Sequence, residues 1–156
     1  ALRYGSIVAV HLWFDRPVDC PKALCLIGAR PHWVFNRTGA TRADSTGAAY
    51  LTTVTSADPS LASMSPEAIR NAVIEDLSQR LPDVRSAKAI HWRVVRYRRA
   101  TFVPYPGFDG FRPPQVTPLP NIALAGDWTA TGWPSTMEGA VRSGRLASQA
   151  ILDHLA

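Results

Sequence analysis

The sequence predicts an α+β fold, a mostly antiparallel sheet with a covering helix, followed by a separate strand and helix. Three observations carry this. Short runs rich in β-branched and aromatic residues recur before residue 100, with Pro- or Gly-bearing spacers between them. One run at three- and four-residue apolar spacing sits among them. A proline-rich stretch over residues 103–120, unfit for a helix or an inner strand, then precedes a short apolar run and a second helical pattern.

The elements follow in order. Residues 4–15 (YGSIVAVHLWFD) read as a strand closed by Arg16-Pro17, and residues 23–28, 32–36 and 50–55 as three more, joined as an antiparallel meander. Ser65-Pro66-Glu67 starts a helix: Ser caps it, Pro occupies the first turn where its missing N–H costs nothing, and the acid suits the helix dipole. Ile69, Ala72, Val73, Leu77 and Leu81 form its apolar face, and Pro82 ends it. Residues 87–99 read as a strand with Ile90, Trp92 and Val94 on one face and a strongly basic end. Residues 121–127 (NIALAGD) are a short strand signal, and 135–154 a helix with small residues for close packing.

Apolar residues make up 46% and charged residues 19% of the 156, which excludes a disordered or fibrous chain. No apolar run is long enough to span a bilayer. Cys20 and Cys25 match neither a redox pair nor a zinc half-site and read as free thiols of a reducing cytoplasm; the four histidines are scattered, so no metal is expected. Of the seventeen basic residues, seven lie between Arg80 and Arg99, a stripe that fits an anionic surface or a solvated edge. With Trp92 and Tyr97 as stacking platforms it also raises a nucleic-acid face, but no nucleic-acid motif accompanies it and no such partner is expected.

The segment with chemistry is residues 124–144, LAGDWTATGWPSTMEGAVRSG. A run ending in Gly126-Asp127 puts a carboxylate at a strand's carboxyl edge, where ligands of open sheets bind, and Gly lets a ligand approach the backbone. Ser135-x-x-Glu138 fits a capping box, and the free N–H groups from Thr136 to Glu138 can hold a carbonyl or an anion. Each residue alone equally suits a turn or a helix start. Trp128 suits a core, whereas Trp133, between Gly132 and Pro134, suits a cavity wall.

Gly126-Asp127-Trp128-Thr129 followed by Thr136-Met137-Glu138-Gly139-Ala140-Val141-Arg142-Ser143-Gly144 resembles the C-terminal FAD signature of flavin-dependent amine oxidases and carotenoid desaturases. The segments 11–18 (HLWFDRPV), 33–37 (WVFNR) and 98–107 (RRATFVPYPG) resemble the hydroxysqualene dehydroxylases, a squalene-associated branch. The resemblance implies that Asp127 meets the ribityl chain of FAD, with Gly126 and Trp128 beside it. It implies that Thr136, Met137 and Glu138 lie beneath the pyrimidine edge, and Trp133 and Pro134 beside the ring. It also implies two portions: residues 1–118 from a substrate-domain-like sheet and 119–156 from the last strand and helix of an FAD-binding domain.

No two glycines are separated by a single residue, so the Gly-x-Gly-x-x-Gly turn that binds the FAD pyrophosphate is not in this chain. The expectation is a C-terminal portion of a longer enzyme whose N-terminal FAD-binding part is its partner; the portion alone neither retains FAD nor turns over. The full reaction implied is reductive removal of the hydroxyl of hydroxysqualene, with Trp133, Arg98 and Arg99 as candidate catalytic residues. Desaturation of a carotenoid, or amine oxidation on the same frame, is the alternative. A lipid-soluble substrate adds a peripheral contact with the inner membrane face, from the cytoplasm.

Overall fold

The structure, a computed structural model, describes residues 3–40 and 48–155, so most of the polar spacer expected before the fourth strand lies outside the described residues. The chain forms two compact units, Ala1–Val103 and Pro104–Ala156.

The first unit holds β1 (Tyr4–Phe14), β2 (Ala23–Cys25), β3 (Trp33–Asn36), β4 (Tyr50–Ser56), α1 (Pro59–Ser63), α2 (Pro66–Arg80) and β5 (Ala89–Phe102). The sheet order is β2-β3-β4-β1-β5 and every pairing is antiparallel. The α+β expectation therefore holds, with one refinement: β2, β3 and β4 form the meander, and β1 lies between β4 and the last strand.

Alternation along β1 sends Val8, Val10, Leu12 and Phe14, each at most 1% exposed, to one face. They share the core with Val34, Leu51, Leu61, Ile69, Val73 and Leu77. Helix α2 starts as its sequence dictates, with the Ser65 hydroxyl accepting the Ala68 N–H at 3.2 Å. The sequence reading passed over α1, whose signal is Asp58-Pro59: the Asp58 carboxylate accepts the Leu61 N–H at 3.0 Å and Pro59 opens the helix. Buried Asp76 of α2 accepts the Arg30 N–H at 2.9 Å and pairs with its guanidinium at 3.2 Å, tying the turn before β3 to the helix.

One side chain departs from the expected alternation. Trp92 and Val94 of β5 pack against the core, but Ile90 is 60% exposed. Phe14 pairs with Ala89 and Trp13 with His91, so Ile90 has no partner on β1, and this bulge turns it outward.

The second unit contains a one-turn 3-10 helix, Phe108–Phe111, and α3 (Met137–Leu155). Among the described residues, 121–127 form no strand of a sheet, contrary to the sequence reading. A strand needs a neighbour for its ladder, and among the described residues this segment makes a single antiparallel bridge, Val116 with Ala123, beside which the Leu124 N–H donates to the Gln115 carbonyl. Residues 104–118 fall in the second compact unit.

Candidate functional site

The loop over residues 124–136 is shaped by a buried polar scaffold. Pro113 and Pro114 stiffen a strap, on which the Pro113 carbonyl accepts the Ala130 N–H at 2.8 Å. Gln115 Nε2 donates to Thr129 Oγ1 at 2.9 Å and to the Ala130 carbonyl at 3.1 Å. The fully buried Thr129 hydroxyl donates to the Gly126 carbonyl at 2.8 Å. On the other side, the Gly126 N–H donates to the Ser143 hydroxyl at 2.8 Å, which donates to the Ala140 carbonyl of α3 at 2.6 Å. Gly126, Thr129 and Ser143 of the signature thus interlock with one another. Sequence reasoning passed over Gln115 and Ser143 because a polar residue in a loop or helix reads as solvated.

Two expected site residues meet here: the Asp127 carboxylate accepts the Ser135 hydroxyl. Ser135 is therefore not the cap of a capping box. The cap is Thr136, whose hydroxyl accepts the Gly139 N–H at 3.3 Å and whose carbonyl accepts the Ala140 N–H at 3.0 Å. Glu138 pairs with Arg142 at 2.8 Å, and the Arg142 guanidinium lies 4.1 Å above the Trp133 ring. Trp133 keeps 41% of its surface exposed, and Pro134 adjoins it. The Pro134 carbonyl lies 2.5 Å from where a side chain at Gly139 would begin, so only glycine lets the loop close on α3. The N–H groups of Met137 and Glu138 stand at the helix start without an acceptor among the described residues. A carboxylate, two open donors and an aromatic ring can together hold a ring-bearing ligand with hydroxyl and carbonyl groups.

In the first unit, Arg98 lines a cavity of about 380 Å³ with Tyr4, Ser6, Pro59, Ala62 and Val103. Arg99 stacks 4.2 Å above the Tyr4 ring. Neither forms an ion pair among the described residues. Trp92 is not a stacking platform, because it packs on the core and Arg70 covers its ring at 5.0 Å.

The sheet face opposite the core carries an aromatic cluster that the sequence did not reveal, because its members come from three strands. Trp13 stacks on Tyr50 at 4.4 Å and adjoins His91 at 4.9 Å; His11 Nδ1 bonds the Tyr50 hydroxyl at 2.7 Å. Burial, then the charges of Arg93 and Arg37, hold the His11 pKa below its ordinary 6.5. The folded state thus binds fewer protons than the unfolded chain just below pH 6.5, so stability is full above that pH and falls as pH drops through it. Urea unfolding at about pH 7.5 and about pH 5.5 checks this, the expected loss being smaller in His11→Gln.

Residues 1–152 match the family model described as flavin containing amine oxidoreductase, and the chain belongs to that family. It is 33% identical to a hydroxysqualene dehydroxylase of Sinorhizobium fredii and 35% identical to one of Rhodopseudomonas palustris, each over 96% of this chain and 33% of the relative. The chain therefore spans about a third of the length of these curated relatives. A solved structure from Exiguobacterium sp. 255-15, named as a protoporphyrinogen oxidase, shares the fold with a TM-score of 0.66 at 15% identity, over 99% of this chain and 35% of the other.

A flavin fits the residues present. Asp127 offers an acceptor for a sugar-like hydroxyl, and the open N–H groups of Met137 and Glu138 offer donors for a ring carbonyl.

Proposed function

We propose that this chain is the C-terminal portion of a longer FAD enzyme that removes the hydroxyl of hydroxysqualene reductively to give squalene. The observation that carries the reading is similarity to hydroxysqualene dehydroxylases along 96% of the chain, including the loop whose carboxylate and helix-start donors suit a flavin. The rest of the enzyme supplies the pyrophosphate cradle, and this portion alone holds no FAD.

Within the loop, Asp127 binds a ribityl hydroxyl, Gly126 and Trp128 admit the chain beside it, and Met137 and Glu138, capped by Thr136, face the pyrimidine edge. Trp133 and Pro134 flank the ring. When bound, a reduced flavin supplies a hydride. The residues of this chain then act on the departing oxygen: Arg98 and Arg99, in no ion pair among the described residues, favour the negative charge that develops as the carbon–oxygen bond breaks, the hydride forming the new carbon–hydrogen bond and the hydroxide leaving as water with a proton from solvent. The sheet face opposite the core carries Ile7, Ala9 and the stacked Trp13 and Tyr50, apolar and aromatic groups suited to a polyisoprenoid, with His11 among them. The basic edge of β5 suits a cytoplasmic enzyme touching an anionic membrane face.

In the full-length protein, Asp127→Ala is expected to weaken FAD binding roughly 10- to 100-fold, the value of a charge-assisted hydrogen bond. Trp133→Ala is expected to keep its flavin and lose turnover of hydroxysqualene. Flavin absorbance after gel filtration, with product formation, separates the two. Wild-type occupancy in Asp127→Ala together with flavin loss in Trp133→Ala would reverse the assigned roles. Dehydrogenation of a carotenoid in place of dehydroxylation would support the desaturase alternative.

A further inference from the structure

Arg112 has no place in the chemistry above, yet its position is unusual for a charged group. Its side chain is only 5% exposed, and its one carboxylate neighbour, Asp109 at 3.3 Å, is itself 90% exposed. The rest of the guanidinium is spent on backbone carbonyls. Nη2 donates to the Asp127 carbonyl and Nη1 to the Trp133 carbonyl, both at 2.8 Å. Nε is buried without a partner among the described residues.

Burying a cation against carbonyls, with one donor unmatched, is a costly way to close a loop that a neutral amide could close. What a guanidinium adds is a rigid planar fork, which fixes the distance between two acceptors. The two carbonyls bound here belong to Asp127 and Trp133, the residues on either side of the turn that carries the carboxylate and the ring. Gln115 holds the Ala130 carbonyl between them, so three carbonyls of this turn are held from the strap.

We propose that Arg112 is a positioning residue that presets the 127–133 turn for the flavin, through its fork and not merely through its charge. The inference rests on the reading of that turn as a flavin site. Lysine keeps the charge but has no planar fork to fix the spacing of two acceptors, so Arg112→Lys separates fork from charge.

The test uses the full-length protein, stripped of flavin and titrated with FAD. Arg112→Lys is expected to bind FAD about tenfold more weakly or worse, with no matching fall in the apoprotein melting temperature. In Arg112→Ala, millimolar guanidinium is expected to restore FAD binding, whereas it leaves Asp127→Ala unrescued. A merely structural arginine would lower the apoprotein melting temperature in step with FAD affinity. That result, or wild-type FAD affinity in Arg112→Lys, overturns the assignment. If Arg112→Ala does not fold, the lysine variant still decides it. A wild-type full-length protein that takes up no FAD sinks the flavin reading itself, while one that takes up FAD equally with its lysine variant sinks only the role of Arg112.

Discussion

Gly126→Ala in the full-length protein is expected to abolish FAD retention, with occupancy after gel filtration falling at least about tenfold. Two effects act together. Gly126 has φ +150, a conformation that residues with a side chain rarely adopt, at a cost of about 1 to 3 kcal/mol. An added Cβ would also fall on the Trp128 indole. The ring would have to swing away, and the backbone around Asp127 would relax toward negative φ. That relaxation pulls the Gly126 N–H from Ser143 and its carbonyl from Thr129, the bonds that join the turn to α3 and to the strap. Flavin absorbance reads the outcome. Retained flavin would mean that the ligand does not depend on the shape of this turn.

Phe14→Ala is expected to destabilise the first unit by about 3 to 5 kcal/mol. Phe14 has no exposed surface and ends β1 on the core face, where β4 and β5 are both close by. Its loss leaves a cavity in a core that cannot easily collapse, since Asp15 beside it is fixed: Arg16 pairs with the carboxylate at 3.1 Å, and the Lys88 N–H donates to it at 2.9 Å. These bonds, the arginine's first, lower the Asp15 pKa to about 2. Urea unfolding followed by tryptophan fluorescence, with Trp13, Trp33 and Trp92 all in this unit, measures the change. An effect under about 1 kcal/mol would show that the core repacks.

The sheet and α2 were legible because their signals are local. Alternation along residues 4–14, the Ser65-Pro66 start and the Pro82 stop each need only neighbouring residues to be read. Sheet order was not legible, since nothing in residues 4–14 says that two strands far along the chain will flank them. The bulge at Ile90 was hidden for the same reason, as it exists only against β1. In the second unit the apolar run 121–127 reads as a strand by composition, and only the absence of a neighbouring strand among the described residues prevents one. The signature residues Asp127, Trp133 and Glu138 stood out by type and spacing. Arg112 and Gln115 did not, because a polar residue in a proline-rich stretch looks solvated until the carbonyls it serves are known.

The place of β1 in the sheet has a consequence for synthesis. Its two partners arrive late, β4 after about forty residues and β5 after about a hundred, when Phe102 pairs with Tyr4. At roughly 5 to 20 residues per second, the most apolar strand of the unit leaves the ribosome many seconds before its second edge is covered. The strand that finally covers it carries Arg93, Arg96, Arg98 and Arg99, so the nascent chain exchanges an apolar edge for a cationic one that resists pairing with another copy.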